Sequence, residues 1–110
     1  MIAKTLLDYL TSVLDVKVVM EAPKETTNYV LIDQTGSSRT NHITTTTFAL
    51  QSYGSTLYKT MQLNERVKAA MEGFVALGEI TRVELETDYN YTDTTTKQYR
   101  WQAVYAITHY

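Results

Sequence analysis

Residues 43–74 read ITTTTFALQSYGSTLYKTMQLNERVKAAMEGF, and two different periods meet inside that stretch. From Ile43 to Tyr53 the chain alternates as a strand does: Phe48 and Leu50 point to one face, Thr47, Ala49 and Gln51 to the other. Gly54-Ser55 ends the strand and sets Ser55 to cap a helix. Beyond it Leu57, Leu63, Val67, Ala70, Met71 and Phe74 fall on one arc at the helical period, while Lys59, Gln62, Arg66 and Glu72 lie off it. The pattern predicts a helix over 56–73, with Gly73 and Gly78 bracketing its exit.

Toward the N-terminus, Ile2, Leu6, Leu10 and Val13 recur at helical spacing with Lys4, Asp8, Thr11 and Ser12 opposite, so 2–14 reads as an amphipathic helix. Val16–Met20 is short and β-branched and reads as a first strand. Pro23 and the polar stretch Lys24–Thr27 interrupt it before a second strand, Tyr29–Asp33. Gln34–Asn41 is the strongest turn signal, and its eight polar residues predict an extended loop rather than a tight hairpin. Thr44–Thr47 has strand propensity but little apolar surface, which places that half of the long strand outside the core.

Toward the C-terminus, Ile80–Tyr89 sends Val83 and Leu85 one way and Arg82, Glu84, Glu86 and Asp88 the other. In Tyr99–His109 the residues Tyr99, Trp101, Ala103, Tyr105 and Ile107 share a face, and Thr92–Lys97 makes a polar hairpin tip. The order α-β-β-β-α-β-β predicts one α+β domain over residues 1–110. Two helices cover one face of a mainly antiparallel, roughly five-stranded sheet, because only that arrangement buries both stripes. Two strands of about ten residues reach on the order of 33 Å, beyond what the helices shield, and leave a bare face and overhanging hairpins for a partner.

Composition narrows the function. The 110 residues carry a net charge of −2 with no block of like charge, which argues against a dedicated nucleic-acid binder. With no cysteine, hydrophobic burial must stabilise the fold without disulfides or thiolate metal sites. Met1–Asp15 lacks an unbroken apolar stretch and does not read as a signal peptide, and no segment is long enough to span a membrane. His42 and His109, the only histidines, sit beside a polar turn and the C-terminus, and no serine lies in a G-x-S-x-G context. We expect no catalytic residue, no cofactor and no metal ligand.

Three features carry an alternative each. Glu84, Glu86 and Asp88 form an acidic row that is either the solvated side of a strand or, with oxygens from elsewhere, a place for a hard cation. Thr35-Gly36-Ser37-Ser38-Arg39 lacks the lysine and second glycine of a phosphate loop; it is either a plain turn or a loop that offers Arg39 to a carboxylate of another subunit. Of nine tyrosines and one tryptophan, Tyr89, Tyr91, Tyr99, Trp101, Tyr105 and Tyr110 concentrate in the last hairpin, either as cross-strand packing or as interface anchors. The interface candidates are Arg39, Tyr99, Trp101 and Tyr105. A hydrolase or ligand-binding domain built around Trp101 would instead need a concave pocket with convergent polar groups.

In sum of features the chain resembles the tail terminator (tail completion) proteins of long-tailed phages: an N-terminal helix, a strand running into a T-G-S-S-R turn (35–39), a long strand ending Leu50-Gln51-Ser52-Tyr53-Gly54, the helix around Arg66-Val67-Lys68-Ala69-Ala70-Met71, and a Tyr-rich hairpin. The resemblance spans essentially all 110 residues. It implies a structural protein of the virion, assembled in the host cytoplasm as a homo-oligomer, a hexameric ring at the head-proximal end of the tail tube. The partners it implies are the tail tube protein and a head or neck connector, with DNA passing through the lumen unbound and no membrane involved. On that reading Glu84, Glu86 and Asp88 are candidates for an acidic lumen lining. The nearest alternative is another neck ring, a head-completion or stopper protein.

Overall fold

The structure, a computed structural model, describes residues 1–24, 28–96 and 98–110. Residues 25–27 of the expected interruption and Lys97 of the expected hairpin tip therefore lie outside the described residues. Two helices, α1 (Ile2–Val13) and α2 (Leu57–Glu72), accompany five strands: β1 (Lys17–Val19), β2 (Tyr29–Thr40), β3 (Ile43–Gly54), β4 (Ile80–Asn90) and β5 (Tyr99–His109). The expected α+β architecture is present. The sheet order is β1-β2-β3-β5-β4, antiparallel throughout except for the short parallel pair β1–β2.

Side-chain alternation sorts the sheet into two faces. Val30, Ile32, Phe48, Leu50, Ala103 and Ile107 turn toward the helices and are buried there. From α1, Ala3, Leu6 and Leu10 meet them at helical spacing, and from α2, Leu63, Val67 and Met71. Each aliphatic side chain so buried stabilises the fold by about 1.5–3 kcal/mol. The Lys4–Asp8 pair on the solvated side of α1, at 2.9 Å, adds little because both partners are exposed.

Helix ends are fixed by local chemistry. Thr56, one residue past the expected Ser55, caps α2 by accepting from the Lys59 N–H at 3.1 Å. The other end of α2 is fastened to α1: the Tyr9 hydroxyl donates to the Ala70 carbonyl at 2.7 Å and its ring lies 5.1 Å from that of Phe74. A Cβ on Gly73 would stand 2.6 Å from the Tyr9 oxygen, so glycine there makes room for the fastening. Gly54 does the same at the start, where a Cβ would meet Thr60 Oγ1 at 2.7 Å.

The segment 34–41 departs from the expected loop. β2 continues through it to Thr40, in register with β3 from Ser37↔Thr46 to Thr40↔Ile43, after a bulge between Gln34 and Gly36. Only Asn41 and His42 form the turn, with φ of 51° and 67°. Ladder hydrogen bonds need no apolar side chains, so a run of threonine and serine pairs well while showing no hydrophobic alternation. Positive φ at both turn residues matches the twist of a two-residue hairpin, for which Asn-Gly is the favoured pair. Histidine at the second place bears the left-handed penalty, so His42→Gly is expected to stabilise the protein by about 1 kcal/mol. Urea unfolding of the two forms measures it, and a destabilised glycine variant contradicts this turn.

Candidate interaction surfaces

Two bulges govern β4. Its register against β5 shifts between Ile80 and Arg82 and again between Leu85 and Thr87, leaving Thr81 and Glu86 as extra residues. A one-residue slip sends every following side chain to the other face. Val83 and Leu85 share a face, as expected, and lie opposite Ile107 and Tyr105 on the helix side, but after Glu86 it is Asp88, opposite Ala103, that faces the helices. The acidic row expected from Glu84, Glu86 and Asp88 is thereby broken.

Asp88 instead gathers three donors. Asn64 Nδ2 approaches Oδ1 at 2.9 Å, Trp101 Nε1 donates to the same oxygen at 2.7 Å, and Lys68 Nζ reaches Oδ2 at 2.6 Å. Burial pushes the Asp88 carboxyl upward, yet the hydrogen bonds from Lys68, Asn64 and Trp101 outweigh it and hold the carboxyl below its ordinary range. Lys68 is raised in turn, by its bonds to Asp88 and then to Glu65 at 3.0 Å. The cluster ties α2 to the edge strand. Glu84, left outside it, pairs with Arg82 at 3.2 Å. Among the described residues no group of three or more histidines or carboxylates could hold a metal ion.

The face away from the helices was expected to be bare, and over one half it is not. The Tyr29 and Tyr53 rings stack at 4.4 Å and both are nearly buried. From them a chain of polar groups crosses the sheet: Tyr53 donates to Gln51 Oε1 at 2.8 Å, Gln51 Nε2 to Gln102 Oε1 at 2.8 Å, and Gln102 Nε2 to the Tyr89 hydroxyl. Arg100 lies 4.3 Å above the Tyr91 ring and bonds the Tyr91 carbonyl at 2.6 Å. Wide side chains lying flat on the strands cover that half; alternation reports direction, not how far a side chain spreads.

Two features remain open to a partner. One is the far end of the β2–β3 hairpin. Among the described residues no strand neighbours the outer edge of β2 beyond Leu31, and every residue from Asp33 to Ile43 is exposed. The other is a groove of about 650 Å³ between α2 and β4. Its floor is Met71, Val83, Leu85 and Tyr105, and its rim on α2 carries Glu65 and Glu72. Leu85 and Val75, which also lines it, are 42% and 46% exposed. A smaller apolar strip, Leu57, Tyr58 and Met61, lies exposed at the start of α2, where Leu57 had been expected to face the core.

The four interface candidates fare differently. Arg39 is exposed near the hairpin tip and has no ion-pair partner among the described residues. Tyr99 is half-buried opposite Gly54. Trp101 is half-buried and held by Asp88, and Tyr105 is a core residue whose hydroxyl burial pushes up to about 12. The groove and the buried Thr60 and Asn64 on α2 were not foreseen; polar residues on a helix give no apolar signal, and the groove follows from a register slip. Among the described residues no helix is long and apolar enough to cross a membrane. No protein-family model matches this chain, and no curated protein matches it significantly.

The Asp88 cluster makes a pH-resolved prediction. A carboxyl that ionises more readily in the folded chain contributes stability above the ordinary carboxylate range and loses it as pH falls through that range. Asp88→Asn is therefore expected to cost about 2 kcal/mol at pH 7, since the bonds lost are charge-assisted. The cost should shrink markedly at pH 3, read by urea unfolding at both values. An equal loss at the two pH values contradicts the assignment.

Proposed function

We propose that this chain is a structural assembly protein of a long-tailed phage, forming a ring at the head-proximal end of the tail tube that ends tube polymerisation and joins tail to head. The observation that carries the reading is the β2–β3 hairpin. Its β2 strand from Asp33 to Thr40, with Thr35-Gly36-Ser37-Ser38-Arg39, and its turn are exposed, and among the described residues Arg39 has no ion-pair partner. An exposed edge strand of that length gains stability by docking on another subunit.

The element order and the pattern-level resemblance to tail terminators support the same reading. In it the ring acts by surface complementarity, with no chemical step: it covers the growing end of the tube and presents its other side to the connector. Like charge keeps passing DNA from sticking. Asp88 is engaged within its own subunit, so a DNA-facing lining rests on Glu84 and Glu86.

Deleting the gene from its phage is expected to yield tails of excess and uncontrolled length that fail to join heads, seen by negative-stain microscopy. Tails of normal length without heads contradict termination and favour a stopper or head-completion role.

A further inference from the structure

The geometry points to a specific subunit contact: the tip of the β2–β3 hairpin of one copy enters the α2–β4 groove of the next, with Arg39 paired to Glu72. This inference rests on reading the chain as a self-assembling ring, and it names the surfaces that close the ring.

The two surfaces differ, and they lie at opposite edges of the sheet. In the order β1-β2-β3-β5-β4 the hairpin edge and the groove strand are separated by the full width of the sheet. Unlike surfaces on opposite sides of a subunit join head to tail, the arrangement from which rings close by rotation. The molecule is 44 Å along its longest axis and about half that across.

Charge then matches one surface to the other. Around the groove Lys68 is engaged by Asp88 at 2.6 Å and by Glu65 at 3.0 Å, and Arg82 by Glu84 at 3.2 Å. Glu72 has no ion-pair partner among the described residues, so the rim offers an unanswered negative charge. Between Gln34 and Ile43 the hairpin holds one formal charge, Arg39, which has no ion-pair partner among the described residues. Its apolar counterpart is Ile43, 41% exposed and on the opposite face of the ribbon from Arg39. The tip thus brings an aliphatic side chain for the exposed Leu85 and Val75 together with a guanidinium for the carboxylate on α2.

Strand addition along β4 is a poorer fit for the same edge. The bulges at Thr81 and Glu86 and the charges of Arg82, Glu84 and Glu86 interrupt the regular backbone that an added strand requires. The contact is made by side chains in the groove, beside that edge.

The absence of native cysteine makes the test clean. Arg39→Cys and Glu72→Cys chains are purified separately, mixed, assembled at high concentration or on tail tubes, and oxidised. A covalent dimer is expected from the mixture and little from either variant alone; a chain carrying both substitutions should give a ladder of cross-linked species. In parallel Arg39→Glu should weaken self-association roughly tenfold, and adding Glu72→Arg to the same chain should restore most of it. Rings seen by native mass measurement without the mixed cross-link or the rescue overturn this contact and leave the ring reading standing. Wild-type chains that associate neither in solution nor on tubes overturn both.

Discussion

A strand of twelve residues, such as β2 or β3, reaches about 40 Å, whereas the sixteen residues of α2 span only about 24 Å even if laid along it. That mismatch in length organises the rest of the molecule. Where helices and strands overlap, a core closes over Phe48, Leu50, Val67 and Met71. At its hairpin end β2 is paired on one side alone and Thr35, Ser37, Ser38 and Thr40 are exposed, whereas Thr44–Thr47 of β3 pair with β5 as well and Thr46, expected outside the core, is buried against Ile107 on that ladder. An edge strand with exposed side chains presents unpaired backbone N–H and C=O groups along its outer side, a surface that a neighbouring subunit can cover.

The second constraint is a slip of one residue in β4. By inserting Glu86, the chain turns Asp88 inward to meet Lys68, Asn64 and Trp101, and α2 is pinned to the strand at that level. Closer to the start of β4 no such tie joins the described residues, and a groove floored by Val83 and Leu85 lies between helix and strand. One bulge therefore sets both the Asp88 cluster and the position of the groove. It also removes Asp88 from any role outside its own subunit.

Much of the architecture was legible before the structure. The 3.6-residue period of Leu6, Leu10, Leu63 and Val67 and the two-residue period of Phe48, Leu50, Tyr105 and Ile107 gave both helices, the sheet and its buried face, because burial and period are coupled directly. Three things were not legible. The β2 extension pairs through backbone groups that leave no hydrophobic trace in Thr35–Thr40. The bulges at Thr81 and Glu86 change register without changing local composition, so Glu84 and Asp88 look alike in sequence and are opposed in space. The tyrosines split between roles that the residue type cannot distinguish: Tyr105 in the core, Tyr29 and Tyr53 as a lid on the second face, Tyr9 as a fastening between helices. Arg39 alone among the interface candidates kept the exposure that an anchor needs.

The account stands on the far half of the hairpin being stabilised by a neighbour, and hydrogen exchange addresses that directly. In isolated chains, amides of residues 34–43 should exchange much faster than those of 48–53 in the same strand pair; on assembly the first set should slow and the second stay unchanged. Equal protection of both sets in the isolated chain, or no slowing of 34–43 in the assembled ring, would contradict it.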